Sequence, residues 1–372
     1  MRTPYYQYDL GILEETLKAI RRNTSGHPDW HVHYAIKANA NPLLLKLINR
    51  YGLGIDCVSG GEIQTALDNG FPASSIVFAG VGKADWEIDL ALKAGIHCFN
   101  VESEAEMDVI SGRCSTLGTT ARIALRVNPD VDAHTHANIT TGKAENKFGI
   151  EIPMLMHIIR KAQQNPCFRF EGLHFHIGSQ ILDMEPYRLL CRKVNELQDM
   201  LEEEGVRIGS INVGGGLGVD YENPECNPVP DFDGWFNIFR EELRLRPGQQ
   251  LHFEPGRAIV AQCGRLITKV LYVKQGTIKR FAIVDAGFTE LIRPALYGAH
   301  HKIVNLTSDG PLMKYDVVGP ICESSDIFGR DEMLPEVHRG DLIALMSAGA
   351  YGETMSSCYN CRPLPPSVSG KF

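Results

Sequence analysis

A lysine follows a run of residues that alternates with a period of two. Residues 31–37 predict a β-strand that carries Lys37 on the same face as His33 and Ala35, and Asn39 then begins a turn. A lysine in this position is either a solvated strand end or an amine held in a pocket. In a pocket, desolvation lowers the pKa of the amine and makes it a candidate Schiff-base nucleophile. Most lysines are exposed, so the choice depends on which residues stand at the ends of the other predicted strands.

A carboxylate and a glycine run stand at the ends of two other predicted strands. Glu254 ends the predicted strand 251–254 among apolar neighbours. Its carboxylate could pair with an arginine, or it could face a ring nitrogen and keep it protonated, so that the ring accepts electrons. Residues 214–218 include four glycines, which let backbone N–H groups approach an anion closely, although a tight turn accounts for them about as well. Arg257 comes one strand later, and this combination favours a phosphate site.

Histidine, cysteine and arginine residues elsewhere could also do chemistry, but each has an ordinary structural alternative. His174 and His176 share a strand face, where they could be packed core histidines, or an imidazole could stack on a planar cofactor; a metal pair would need a third ligand that the spacing does not supply. Cys322 lies near two acidic residues and could donate a proton, or it could be an incidental thiol in a turn. Arg293 and Tyr297 are one helical turn apart, which suits a bound carboxylate or an ordinary surface helix.

The elements that position these residues alternate between strand and helix. An apolar stripe predicts a helix over 187–204, and Pro153 suits the first position of a helix over 153–164. Strand-like runs lie between the helical patterns. Eight such strands in about 250 residues are typical of a (β/α)8 barrel of the TIM type, with a doubly wound open sheet as the alternative. In a barrel, active sites lie at the carboxyl ends of the strands, where Lys37, Glu254 and the glycine run are predicted. The predicted strands are 31–37, 54–59, 76–80, 97–102, 121–128, 168–178, 210–214 and 251–254.

The pattern changes after residue 258. Strands then succeed one another without long helices, which predicts a second, mostly antiparallel β domain, and residues 4–8 could add a strand to it. The chain is therefore expected to be an α/β protein with a barrel domain over 9–258 and a β domain made of 1–8 and 259–372. The strands predicted in the β domain are 266–273, 280–285, 314–318 and 342–345.

Composition argues against several classes of function. The 372 residues are 44% hydrophobic and 22% charged, as in a globular protein, and the net charge of −8 argues against nucleic acid or an anionic membrane as a partner. No apolar run is long enough to span a bilayer and the N-terminus has no apolar signal core, so a cytoplasmic protein is expected. Cys358 and Cys361 have no second pair at metal-ligand spacing, so no metal site is predicted.

Nine segments that together run through nearly the whole chain resemble the fold-type III pyridoxal-phosphate-dependent decarboxylases. Most of the segments are weak signals singly, but together they are specific. The resemblance implies pyridoxal 5′-phosphate as the cofactor, a barrel that binds it, and a homodimer whose active site lies at the subunit interface. The segments are YAIKAN (34–39), DCVSGGEI (56–63), NKFG (146–149), HIGSQ (176–180), GGGLG (214–218), EPGR (254–257), DAGFTELIRPALY (285–297), GPICESSD (319–326) and SAGAYG (347–352).

The resemblance also implies a role for each matching residue. Two residues would be catalytic, with Lys37 forming the Schiff base to the cofactor and Cys322 donating a proton from the partner subunit. His176 would stack on the cofactor ring, and Glu254 would pair with its nitrogen. The residues implied around the cofactor phosphate are Ser179, Gly214, Gly215, Gly216, Gly256, Arg257 and Tyr351. Those implied to hold the substrate are Arg257, Arg293, Tyr297, Glu323 and Tyr351.

Glu323 separates the subfamilies within this resemblance. Ornithine and arginine decarboxylases of this fold type carry an aspartate after the cysteine, where this chain has Glu323. With Arg293 and Tyr297, Glu323 fits a substrate with a second amino-acid head group, which implies decarboxylation of meso-2,6-diaminopimelate to L-lysine and carbon dioxide, the last step of lysine biosynthesis. Ornithine, arginine or a carboxylated polyamine remain alternative substrates. A catalytically silent binding protein is the alternative of another class, although Lys37 and Cys322 are both present.

Overall fold

The computed structural model describes residues 2–131 and 147–372, so Asn146 of the NKFG segment lies outside the described residues. The chain divides into two compact units. The unit that we call the barrel unit comprises Leu17–Gly218 and Asp231–Gly256, and the unit that we call the β unit comprises Met1–Thr16, Val219–Pro230 and Arg257–Phe372. The limits of the two domains, as drawn from the sequence, stay a prediction.

Strands and helices alternate through the barrel unit, whereas strands dominate the β unit. Among the residues described, none of the helices combines the length and the apolar character needed to span a bilayer. The strands are β1 Tyr5–Tyr8, β2 Trp30–Ala35, β3 Gly54–Cys57, β4 Ile76–Phe78, β5 Cys98–Val101, β6 Ala121–Arg126, β7 Phe168–His174, β8 Ser210–Asn212, β9 Gln250–Phe253, β10 Gly264–Gln275, β11 Arg280–Val284, β12 Ile303–Asn305, β13 Leu312–Val318, β14 Ile327–Pro335, β15 Leu342–Leu345 and β16 Ser367–Ser369. The α-helices are α1 Leu10–Thr24, α2 Pro42–Arg50, α3 Gly60–Asp68, α4 Asp85–Ala94, α5 Glu104–Leu117, α6 Ile152–Gln164, α7 Glu185–Glu203, α8 Phe232–Glu242, α9 Arg257–Val260 and α10 Arg293–Tyr297.

Strands β2 to β9 form a closed parallel barrel in chain order. The last strand returns to the first, with Trp30 opposite Leu251. Every residue of β3, β4, β5 and β8 is buried, as expected where helices cover the outside of a barrel and side chains fill its interior. The predicted (β/α)8 barrel is therefore confirmed, and the alternative of an open doubly wound sheet is wrong.

Aromatic packing fixes the strand that leads to Glu254. The rings of Phe236 and Phe239 on α8 lie 4.9 Å and 5.2 Å from the ring of Phe253, the last residue of β9. Burial of each such ring contributes about 2 kcal/mol and holds the end of the strand against its helix. The helix predicted over 187–204 is α7, and its apolar stripe is buried. The buried residues of this stripe are Leu190, Val194, Leu197 and Leu201.

The β unit is built on a mixed, mostly antiparallel sheet. Its main order is β12, β15, β10, β11, β13 and β14, while β1 pairs with both β10 and β16. The pairs β11–β13 and β1–β16 are parallel. The strand predicted over 4–8 is confirmed as β1, in which Tyr5 lies opposite Ile267. The predicted second, mostly antiparallel β region is thus confirmed, although β12, β14 and β16 are absent from the sequence prediction.

Three histidines meet inside the barrel unit. His33 Nε2 and His252 Nδ1 are 3.0 Å apart, and the ring of His97 lies 6.2 Å from that of His33 and 5.5 Å from that of His252. Burial lowers the pKa of His33 to about 4 and that of His97 to about 3. The unfolded chain binds these protons near the ordinary value of 6.5, whereas the folded chain does not. Folding is therefore favoured at high pH and opposed as the pH falls from 6.5 towards 4.

We expect the folded protein to lose stability as the pH falls, because His33 takes up a proton more readily in the unfolded chain than in the folded chain. The wild-type free energy of unfolding should fall by roughly 2–4 kcal/mol between about pH 7 and about pH 4 through this residue. Denaturant titrations across this range should show a shallower pH dependence for His33→Gln than for the wild type. His338→Gln, which changes an exposed histidine, should keep the wild-type slope. Equal slopes for all three proteins would contradict the prediction.

Candidate active site

Lys37 lies in a turn beyond its strand. β2 ends at Ala35, and Ile36–Ala38 form a 3-10 turn, so the prediction that Lys37 ends the strand is wrong by two residues. A local hydrogen bond spans the turn, in which the hydroxyl of Tyr34 donates to the carbonyl of Asn39 at 2.8 Å. The turn still places Lys37 at the carboxyl end of the barrel strands, where active sites of this architecture lie.

The amine of Lys37 faces a buried carboxylate. Its Nζ is 3.9 Å from Oδ2 of Asp56 on β3, and the side chains are 42% and 3% exposed. Burial and the negative charge of Glu254 raise the pKa of Asp56 well above its ordinary value, although the charge of Lys37 opposes them. A Cβ added at Gly256 would lie 3.0 Å from that of Ala35, so the segment after Glu254 packs closely against the turn that carries Lys37.

Glu254 is held by side chains from three strands. Its Oε1 accepts from Nδ2 of Asn100 at 3.2 Å and from Nδ2 of Asn212 at 2.6 Å, and its Oε2 lies 2.8 Å from Nε2 of His174. Burial acts to raise the pKa of Glu254, but the attraction of His174 and these hydrogen bonds outweigh burial and hold the pKa below its ordinary value. The carboxylate is therefore charged and fixed in direction. His174 is the packed histidine of the sequence analysis, whereas Asn100 and Asn212 are not predicted there.

The glycine run lies directly against neighbouring backbone. A Cβ at Gly215 would lie 2.1 Å from the carbonyl oxygen of Glu254, and one at Gly216 would lie 2.6 Å from that of Gly178. Gly214 and Gly216 have φ angles of +71° and +107°, which side chains disfavour. Only backbone can therefore line this part of the barrel end, as a closely approaching anion requires.

His176 and Ser179 come after β7, beside the glycine run. The N–H of Gly215 donates to Nδ1 of His176 at 3.4 Å, and both His176 and Ser179 are half-buried. Burial, together with the positive charges of Arg126 and Lys37, holds the pKa of His176 well below its ordinary value. The imidazole is therefore neutral, as suits a ring that stacks on a flat cofactor.

Arginine and tyrosine side chains meet in the β unit. The hydroxyl of Tyr221, which is absent from the sequence prediction, accepts from Nη1 of Arg257 at 2.8 Å and from Nη1 of Arg293 at 2.9 Å. Arg257 also lies over the ring of Tyr351 at 4.9 Å. Arg293 is only 5% exposed, and the hydroxyl of Tyr221 gives its guanidinium a buried hydrogen-bond acceptor. The alternative that Arg293 lies on an ordinary surface helix is therefore wrong. Tyr297, at the end of α10, is half-buried.

Cys322 and Glu323 are exposed on the loop after β13. The loop is shaped by Asp326, whose two carboxylate oxygens accept from backbone N–H groups at 2.7 Å and 2.8 Å. Oε1 of Glu323 accepts from the hydroxyl of Tyr359 at 3.1 Å. The thiol of Cys322 is therefore presented outward on a fixed loop.

These features define a class of protein. The amine of Lys37 can react with an aldehyde, and the fixed carboxylate of Glu254 can pair with a protonated ring nitrogen. The neutral imidazole of His176 can stack on a flat ring. The glycine-lined turn over 214–216 can bind a phosphate through its backbone. Gly215 and Gly216 cannot carry side chains, because a Cβ at either position would meet the backbone of Glu254 or Gly178. The residues at the carboxyl end of the barrel thus fit pyridoxal phosphate, and the class is that of barrel enzymes that use it.

Comparisons with known proteins give the family. Residues 11–261 match the family described as "Pyridoxal-dependent decarboxylase, pyridoxal binding domain". The chain is 60% identical over 365 residues to the diaminopimelate decarboxylase of Bacteroides thetaiotaomicron, covering 98% of this chain and 95% of the relative, and 42% identical over 363 residues to that of Aquifex aeolicus, covering 97% and 85%. It superposes with a TM-score of 0.91 on the crystal structure of the Helicobacter pylori diaminopimelate decarboxylase complexed with L-lysine, at 40% identity and covering 100% of this chain and 92% of that one. The chain therefore belongs to the fold-type III pyridoxal-dependent decarboxylases, in the diaminopimelate decarboxylase family.

Proposed function

We propose that this chain decarboxylates meso-2,6-diaminopimelate to L-lysine and carbon dioxide, with pyridoxal phosphate as its cofactor. The observation that carries the chemistry is the buried carboxylate of Glu254, held by Asn100, His174 and Asn212 at the barrel end that also carries Lys37. The relative with 60% identity supports the choice of substrate, as does the similar structure complexed with L-lysine.

The cofactor accounts for one part of the chemistry. Bound pyridoxal phosphate supplies an aldehyde that captures the substrate amine and a ring that accepts the electron pair left at Cα when carbon dioxide departs. The charge on Glu254 would hold a proton on the ring nitrogen, which would make the ring a better electron acceptor. Lys37 would supply the amine that binds the aldehyde of the cofactor before the substrate arrives.

The other predicted site residues would donate a proton, hold the substrate or hold the cofactor phosphate. The thiol of Cys322 would return a proton to Cα after carbon dioxide leaves. Binding energy at the distal head group of the substrate would align the bond that breaks, so that specificity and rate depend on the same contacts. Those contacts would come from Arg257, Arg293, Tyr297, Glu323 and Tyr351, and the phosphate would be held by Ser179, Gly214, Gly215, Gly216, Gly256, Arg257 and Tyr351.

We expect Glu254→Gln to slow the reaction while the cofactor stays bound. The amide keeps the shape of the side chain and can still bond to Asn212, but it carries no charge that would hold a proton on a ring nitrogen. The value of kcat should fall about 100-fold. Steady-state carbon dioxide release measures this, and the visible spectrum of the holoenzyme shows whether the cofactor is retained. A rate within about twofold of the wild type would contradict the role of Glu254.

Carbon dioxide release by the holoenzyme tests the proposed substrate. Purified protein loaded with pyridoxal phosphate is offered meso-diaminopimelate, L-ornithine, L-arginine and carboxynorspermidine in parallel. Release from diaminopimelate alone, with L-lysine as the product, is the expected result. Release from another of these compounds instead would keep the decarboxylase chemistry but would overturn the substrate and the interpretation of Glu323.

We also propose the assembly and location that the family resemblance implies. The chain would act as a homodimer in the cytoplasm, with the active site completed at the subunit interface by the partner's loop. The outward position of Cys322 on a loop fixed by Asp326 supports this arrangement. The barrel over 9–258 would be the cofactor-binding domain, and 1–8 with 259–372 would form the C-terminal β domain.

A further inference from the structure

Two buried arginines in the β unit share one acceptor. The hydroxyl oxygen of Tyr221 accepts from Nη1 of Arg257 at 2.8 Å and from Nη1 of Arg293 at 2.9 Å. The guanidinium of Arg293 also lies over the ring of Tyr221, with its Cζ 4.9 Å from the ring centre. Arg257 and Arg293 are 6% and 5% exposed. A single phenol thus fixes two guanidinium groups within a few ångströms of each other.

His301 fixes Arg293 from a second direction. The main-chain oxygen of Met346 lies 2.8 Å from Nδ1 of His301, so Nδ1 carries the proton and Nε2 is left to accept from Nη1 of Arg293 at 2.8 Å. Burial and the charge of Arg293 lower the pKa of His301 to about 3, which keeps the ring neutral and able to accept. The ring also packs edge-on against Tyr221 at 5.1 Å.

The buried charge of Arg293 suits an anionic ligand. Two guanidinium groups held side by side in a buried place repel each other, and the neutral ring of His301 does not cancel the charge of Arg293. Within residues 2–131 and 147–372, Arg293 forms no ion pair with a carboxylate of the protein. A carboxylate ligand would accept from both groups, and the geometry of paired arginines suits one well.

We propose that Tyr221 is a positioning residue that holds Arg257 and Arg293 side by side as a clamp for the carboxylate that the substrate keeps. This inference rests on the proposed function, because the clamp needs a substrate with a second carboxylate. Tyr221 acts through the two arginines, so its hydroxyl controls the affinity for carboxylate-bearing ligands more than it controls the chemistry at Cα.

Ligand binding by the holoenzyme tests the clamp. L-lysine keeps the distal carboxylate, whereas cadaverine is the same five-carbon diamine without it. Calorimetric titration of Tyr221→Phe should show about tenfold weaker binding of L-lysine and unchanged binding of cadaverine. The KM for meso-diaminopimelate should rise by a similar factor while kcat stays within about twofold. The ring remains in this variant, so its packing against His301 is kept.

A second tyrosine provides the matched control. Tyr272 is 57% exposed, and its ring lies 5.1 Å from the guanidinium of Arg339, so Tyr272→Phe also removes a hydroxyl from a ring that an arginine covers. This control should bind both ligands as the wild type does. Equal weakening of L-lysine and cadaverine by Tyr221→Phe would overturn the clamp and indicate a general structural effect, and unchanged binding of both would overturn it as well. Failure of the proposed function is a separate result, because it appears in the wild-type protein as carbon dioxide release from another amino acid.

Discussion

Lys37→Ala is expected to abolish both turnover and the covalent attachment of the cofactor. The substitution removes the reactive amine nitrogen, Nζ, which lies 3.9 Å from Oδ2 of Asp56. This amine is at the same end of the barrel as Glu254. Without that amine, neither the resting attachment nor the release of product amine has a nucleophile, so carbon dioxide release should fall on the order of 10⁴-fold. The effect is on chemistry, because alanine suits the short turn and leaves the strand unchanged.

Borohydride reduction and then intact-mass measurement test this assignment directly. The wild-type protein should gain the mass of reduced cofactor, whereas Lys37→Ala should gain none. Lys46→Ala, which changes an exposed lysine on the neighbouring helix α2, should behave like the wild type. A mass gain in Lys37→Ala equal to that of the wild type would show that another lysine carries the cofactor.

Some residues at the carboxyl end of the barrel could be predicted from the sequence, because they belong to a recognisable local pattern. Glu254 stands among apolar neighbours directly after a strand, and the glycines of 214–216 also follow a strand. Asn100 and Asn212 have no such signal, because each is a single polar residue near the end of a short buried strand. Their amides meet Glu254 only through the register of the closed barrel, in which Asn212 lies opposite His252 on β9.

The strands absent from the prediction lack the pattern on which strand prediction depends. β14 includes Arg330, Asp331 and Glu332 in succession, and it lies at the end of the sheet order, where outward side chains meet solvent. β12 and β16 have three residues each, which is too short for a period of two to be visible. Tyr221 and His301 are unpredictable for another reason, since Tyr221 meets Arg257 and Arg293, and His301 meets Arg293, only in the folded chain.

Activity should return when two inactive variants share a dimer. Lys37→Ala lacks the amine, and Cys322→Ala lacks the thiol that would donate the proton, so each alone should lose on the order of 10³-fold or more in turnover. In the proposed arrangement, each active site takes Lys37 from one subunit and Cys322 from its partner. A mixed dimer of the two variants then has one site with both lesions and one site with neither.

The fraction of wild-type activity that the mixture recovers shows whether Cys322 acts in the active site of the partner subunit. Random exchange of equal amounts makes about half of the dimers mixed, and one of two sites is intact in each, so the mixture should reach about one quarter of wild-type activity. Mixing Lys37→Ala with Glu254→Gln is the matched control, because both changed residues lie at the end of one barrel and no intact site can form. That mixture should not exceed the activity of Glu254→Gln alone. If Cys322 acted within its own subunit, the first mixture would also stay inactive, because every site would then carry one of the two lesions.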